Sequence, residues 1–400
     1  MLEIKIAIID ADLIGRSKHR FPNLVCMKLS KYYKDLGYEV ELKTDYKNLE
    51  NYNKVFISKV FMDTELPNEN PDKSLKTENG IIEFYKDHPI LNLPNVEYGG
   101  TGFYYDKSPK LPIEIEHTKP DYHLYNEWVK QKILDGGKPK EFEYYTDYSI
   151  GFMTRGCIRQ CSFCVNKNYK QCNLHSSIEE FLDKDRKYIC LLDDNIFSCK
   201  DWRCVFDELK RIGKRFQFKQ GVDERLLTDE KCEVLFNSKW IGDFIFAFDN
   251  IKDAELIENK LKLIRKHTNK VIKFYTFCSF NHDNIGHYDK EFWHKDITNL
   301  FERIKILMKY GCLPYIMRYK DFENSPYRGT YINLASWCNQ PHQFKKKSYR
   351  EWCMSDFTRG NKATLRYLNQ VENDFPDIAE KYFDLKYEEI NEYISPYIVK

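Results

Sequence analysis

The chain has 400 residues, of which 42% are hydrophobic and 16% aromatic, and its 63 Lys and Arg against 61 Asp and Glu leave a formal net charge of +2. That length exceeds one small domain and supplies enough apolar material for a sizeable core. So even a charge balance excludes a global field for nucleic acid or membrane surfaces, and any basic patch has to be local.

The opening run MLEIKIAIIDADLIG contains Asp10 and Asp12 and no small-residue cleavage site. It reads as a buried strand, not a signal peptide. No stretch approaches the ~18 consecutive apolar residues of a membrane helix. The expected location is cytoplasmic, where thiols stay reduced. The 13 cysteines therefore imply no disulfide framework, and Cys190, Cys232 and Cys278, each alone among apolar residues, are expected in the core.

In chain order, IKIAIID (4–10) is a continuous apolar run, as a parallel strand buried on both faces should be. Helical spacing follows over 21–37, then strands at 38–43 and 54–61, a helix at 81–89, and a strand over 95–103 that runs into a Gly-rich turn. This predicts a doubly wound, Rossmann-like α/β domain over 1–110. Pro and Gly content marks 111–145 as a linker with one short helix. Strands are then predicted at 148–154, 187–193, 215–221, 242–249, 271–280 and 312–319, with helices at 177–185, 201–213, 229–238, 253–267 and 297–311 between them. Six strands with helical crossovers predict a barrel or partial barrel over 146–330, with its chemistry at the C-terminal strand ends. A helical extension over 331–400 completes the chain.

The fragment GFMTRGCIRQCSFC (151–164) holds Cys157, Cys161 and Cys164 in a C-x3-C-x2-C pattern directly after the first barrel strand. Thiolates are soft ligands that select zinc or iron–sulfur centres. Structural zinc takes four donors, and no fourth has natural spacing here: Cys172 is the nearest spare thiol and His175 the nearest imidazole. A 4Fe-4S cluster held by three thiolates leaves one iron open for a substrate or cofactor.

With Phe163 just before the last cysteine, the pattern resembles the radical S-adenosylmethionine (radical SAM) superfamily. The resemblance covers roughly 146–320 and implies a partial (β/α)6 barrel, a 4Fe-4S cluster on Cys157, Cys161 and Cys164, and SAM on the open iron. One electron from an external donor of flavodoxin or ferredoxin type then cleaves SAM to methionine and a 5′-deoxyadenosyl radical, which abstracts hydrogen from a substrate. The motif LLDDNIF ends the second barrel strand, and Asp193, Asp194 and Asn195 match the place where family members contact the SAM ammonium. FKQGVDERLLT ends the third, where Arg225 suits the SAM carboxylate and Gln220 or Asp223 the ribose hydroxyls. Asp249 ends the fourth strand and is a further candidate for SAM or substrate.

Arg318, Tyr319 and Arg328 are candidates for closing the barrel over a substrate, with a core strand and solvated loop as the plainer reading. FKKKSYREW (344–352) interleaves basic and aromatic residues, and a solvated helix face is favoured there over phosphate binding. Cys312, Cys338 and Cys353 lack the dense spacing of an auxiliary cluster.

The order of domains resembles the radical SAM subgroup with an N-terminal cobalamin-binding-like domain, and YGGTGF (98–103) resembles its Gly-rich turn. The subgroup's D-x-H-x-x-G motif is missing, and His19 has the wrong context. Cobalamin is accordingly not the favoured reading, and the first domain is expected to shape substrate access or a partner surface. Cobalamin-dependent methyl transfer stands as the alternative chemistry. Methylthiolation lacks its second cluster domain and basic β-barrel tail. A zinc-stabilised nucleic-acid-binding or scaffold protein is the alternative from another class.

Overall fold

A computed structural model describes residues 4–166, 169–282, 288–358 and 360–393. The chain forms two compact units, Met1–Lys219 and Gln220–Lys400. The division falls inside the stretch 146–330 that the sequence assigns to one barrel. The fold is mixed α/β, with parallel sheets and a helical C-terminal part.

The first unit begins with a four-stranded parallel sheet in the order β2-β1-β3-β4, where β1 is Lys5–Asp10, β2 Glu39–Lys43, β3 Lys54–Ser58 and β4 Val96–Gly99. From Ile6 to Asp10 every residue of β1 is buried, as its central place and unbroken apolar run require. Its two faces feed two cores. One gathers Ile6, Ile8, Cys26, Met27 and Phe56, and the other Ala7, Ile9, Val55, Ile57 and Phe103. Helix Leu24–Asp35 starts where the Asn23 side chain accepts from the Val25 and Cys26 amides, replacing bonds a first turn lacks.

The stretch 111–145, expected as a linker, is a packed cover. Ile115, Tyr122, Tyr125, Val129 and Phe142 are buried in the first of those cores. Their side chains alternate with Pro, Gly and charge, which hides the apolar spacing that would have marked a folded segment.

The same unit holds a second parallel sheet, β5-β8-β9, made of Tyr148–Gly151, Tyr188–Leu191 and Arg215–Phe218. Two short antiparallel strands, β6 (Thr154–Arg155) and β7 (Asn173–Leu174), lie on the chain between β5 and β8. The helix expected at 177–185 is a single 3-10 turn, Ile178–Glu180, with a Ser177/Glu180 capping box. It stops because the Asp183 amide donates to the Ser149 hydroxyl of β5 (2.9 Å) instead of continuing a helix.

The second unit carries the parallel sheet β10-β11-β12, Phe244–Ala247, Ile272–Cys278 and Leu313–Arg318. All six strands predicted for the barrel are thus strands, three in each unit. Helix Lys290–Lys309 begins earlier than its predicted start because Asp289 caps it, accepting from the Phe292 amide. Its buried face joins helices Arg328–Cys338, Tyr349–Thr358, Lys362–Asp374 and Pro376–Tyr382 in one aromatic-rich core that includes Trp337, Tyr349 and Phe383. Cys190, Cys232 and Cys278 are buried, as expected for small apolar residues. Among the described residues, no helix is long and apolar enough to cross a membrane.

Candidate metal centre

The three cysteines lie on a loop that leaves the C-terminal end of β5 through a narrow neck. β6 and β7 form the neck, with Thr154 opposite Leu174 and Arg155 opposite Asn173. Gly156, the next residue, has φ +101, and a Cβ there would stand 2.1 Å from the Gln171 carbonyl oxygen. Only glycine fits a backbone that close in that conformation.

Beyond the neck, Cys157, Cys161 and Cys164 are all partly exposed and unlinked. The Cys164 amide donates to the Cys161 carbonyl (3.0 Å), which turns the chain between the last two thiols. Amide donors point at two of the sulfurs. The Arg159 backbone N–H lies 3.3 Å from Cys157 Sγ and the Asn166 N–H 3.4 Å from Cys164 Sγ. The Asn195 side-chain amide donates to Cys157 Sγ as well, at 3.3 Å. Such donors stabilise charge on sulfur and tune a metal-bound thiolate.

Asp193 and Asp194, at the end of β8, hold this loop from below. Asp193 is fully buried. One of its carboxylate oxygens accepts from the Thr154 amide and hydroxyl, both at 2.6 Å, and the other from the Met153 amide at 3.2 Å. Asp194 accepts from the Gly156 amide (2.9 Å) at one end of the loop and from the Asn166 side-chain amide (2.6 Å) at the other. One carboxylate therefore spans the cysteine loop. Burial pushes Asp193 up to about 6 and raises Asp194 too, while their hydrogen bonds pull in the opposite direction.

The spare zinc donors are engaged elsewhere. Cys172 is buried, and burial pushes its thiol up to about 11, which disfavours the thiolate a metal needs. His175 shares a hydrogen bond with Glu116 (3.0 Å), which also pairs with Lys28 (3.2 Å) and Arg155 (3.8 Å). Among the described residues, no three His, Cys, Asp or Glu side chains are grouped so as to hold one metal ion. A single zinc ion needs its donors within about 4 Å of one another. A four-iron cluster takes each thiolate on its own iron, so its ligands stand farther apart. The donor set is all thiol, with amide donors at two of its three sulfurs, a chemistry that suits iron–sulfur ligation.

The remaining sequence candidates belong to the second unit. Gln220 is exposed. Asp223 is buried, accepts from the Arg225 amide, and pairs with the Arg225 guanidinium at 2.7 Å. Arg225 also reaches Asp253 at 3.3 Å. Between them, Glu224 is completely buried. One of its oxygens accepts from the Ala247 amide (3.2 Å) and the other has no hydrogen-bond partner among the described residues. Burial first, and the neighbouring Asp223 second, push this carboxyl up to about 8. Asp249 is partly buried and is pushed up to about 6 by desolvation, against the pull of Arg303. Arg303 donates to the carbonyls of Phe248, Asp249 and Phe277 at 2.8–3.1 Å, joining the ends of β10 and β11.

The structure brings Asn195 to Cys157 and Asp194 to both ends of the loop, and it gathers Asp223 with Arg225. Sequence reading missed Thr154, Asn166 and Glu224. Asn166 stands two residues after Cys164, a polar residue beside a ligand that could have been flagged. Glu224 resembles a surface charge, and only its burial makes it notable.

No protein-family model matches the chain. Several solved structures align with it, among them these two. One is the radical S-adenosylmethionine methyltransferase TsrM from Kitasatospora setae, with tryptophan substrate and the SAM analogue aza-SAM bound, at 11% identity and a TM-score of 0.45, covering 78% of this chain and 72% of that one. The other is the cobalamin-dependent S-adenosylmethionine radical enzyme OxsB with aqua-cobalamin bound, at 12% identity and a TM-score of 0.34. It covers 98% of this chain, which spans 58% of its length. At these scores neither alignment defines the fold or the chemistry, and the meaning of the site rests on its own residues.

Proposed function

We propose that the chain is a cytoplasmic radical SAM enzyme whose Cys157, Cys161 and Cys164 hold a 4Fe-4S cluster. The observation that carries the reading is the C-x3-C-x2-C loop at the end of β5, closed at its neck and supplied with amide donors at two of its sulfurs. When bound, the cluster supplies one-electron cleavage of SAM to methionine and a 5′-deoxyadenosyl radical, with the electron coming from an external donor of flavodoxin or ferredoxin type. The chain's own part is to bind and to orient. Asp193 and Asp194 fix the loop backbone, and Asn195 tempers the charge on Cys157. Gln220, Asp223, Arg225 and Asp249 are proposed SAM or substrate contacts; Arg225 acts with its guanidinium already aligned by Asp223.

Cobalamin-dependent methyl transfer is the second reading, favoured by the parallel sheet β2-β1-β3-β4 ahead of the cysteine loop. The Gly-rich turn is not itself support for it. A Cβ on Gly100 would stand 2.2 Å from the Lys59 carbonyl oxygen, so the chain's own backbone fills the space that glycine opens.

The test is anaerobic reconstitution with iron and sulfide, then reduction with SAM and mass spectrometry for 5′-deoxyadenosine. Product from the wild type and none from Cys157→Ala is expected. Corrin absorption in anaerobically purified protein would move the reading to methyl transfer. Failure to take up iron would refute both.

A further inference from the structure

We propose that Tyr105 is a positioning residue through which the N-terminal sheet holds the cysteine loop in shape. The inference rests on the reading of that loop as a cluster site. The Tyr105 hydroxyl donates to the Phe163 carbonyl at 3.1 Å, between Cys161 and Cys164 and 58 residues along the chain. The side chain is buried at 6% exposure, within the core that covers one face of β1 and β3. Val165, the residue after Cys164, packs against that same core. The loop is thus gripped on both sides of its last cysteine by a module that contributes no cysteine to it.

The backbone at Tyr105 shows that this grip is imposed. Its φ is +51 with ψ −119, a conformation that side-chain-bearing residues rarely adopt. Strain of this kind persists only where the surroundings over-determine it. Here the surroundings are the turn before it. The Gly102 amide donates to the Lys59 carbonyl (3.0 Å), and the Lys59 amide donates to the Gly99 carbonyl (3.0 Å). The end of β3 therefore fixes the Gly-rich turn, the turn fixes Tyr105, and Tyr105 fixes the Phe163 carbonyl. Asp194 holds the loop at Gly156 and Asn166, and Tyr105 holds it at the middle of the C-x2-C segment, where Asp194 makes none of its hydrogen bonds given above.

The experiment compares the full-length wild type with Tyr105→Phe, which keeps the ring and removes only the hydroxyl, and with Val165→Ala, which loosens the second handle. Hydrogen–deuterium exchange across 157–166 is followed in the metal-free protein, which needs no cluster. Iron content, cluster lifetime in air and the electron paramagnetic resonance g-values of the reduced cluster are then measured on reconstituted protein. Losing one such hydrogen bond is expected to speed loop exchange about five-fold, to shorten cluster lifetime and to shift the g-values, with exchange in β1 and β3 unchanged. Loop exchange and g-values identical to wild type in both variants would overturn the proposal. Faster loop exchange in Tyr105→Phe together with no iron uptake by any of the proteins would uphold the clamp and refute the cluster reading instead.

Discussion

The side-chain amide of Asn195 donates to the sulfur of Cys157 across 3.3 Å, linking the end of β8 to the first of the three cysteines. Partners of this kind set the basicity and orientation of a metal ligand. Asn195→Ala should lower cluster affinity about ten-fold, at the mild end of such losses, and move the reduction potential to more negative values by leaving more charge on sulfur. Asn195→Asp should move it further in the same direction. A potentiometric titration followed by electron paramagnetic resonance measures both.

Asp194 accepts from the Gly156 amide and the Asn166 side chain, on opposite ends of the loop. Asp194→Ala leaves both donors without this acceptor, and an unmade bond to a partly buried group costs about 1–3 kcal/mol. The loss falls on the loop, not on β5-β8-β9. Iron and sulfide per chain should drop severalfold while the far-ultraviolet circular dichroism stays that of the wild type.

Glu224 gives the second unit a pH dependence. Its carboxyl is held at about 8 in the folded chain, against an ordinary value of 4.5. Between those values the folded state binds a proton that the unfolded state has released, so stability falls as pH rises through the window. Glu224→Gln keeps the shape without the charge and should flatten the decline between roughly pH 5 and 8. Chemical denaturation at a series of pH values compares the two slopes.

Arg303 is buried and donates to three carbonyls at the ends of β10 and β11. A methionine fills similar volume and returns none of these bonds. Arg303→Met should destabilise the second unit by several kcal/mol, at about 1–3 kcal/mol for each buried carbonyl left unpaired. Arg303→Lys should recover only part of it, because an ammonium cannot spread donors as a guanidinium does. Thermal unfolding of the full chain resolves the order wild type, Lys, Met.

The sequence alone determined the strands and the cysteine loop. β1 and β3 are legible as apolar runs and the six predicted barrel strands as short stretches rich in apolar and aromatic residues between helical segments, and C-x3-C-x2-C is a local pattern of one residue type. It also marked Asp193, Asp194 and Asn195 as a group, since adjacent polar residues at a strand end stand out. Only the tertiary structure decided what those residues hold. Asp194 meets Gly156 across 38 positions, and Tyr105 meets Phe163 across 58. Such contacts depend on how sheets bring distant segments together, and neither spacing nor propensity encodes them. The same reason hid the packed cover at 111–145 and the buried Glu224. Burial is a property of the folded environment, and the residues themselves look like any surface charge or linker until the fold encloses them.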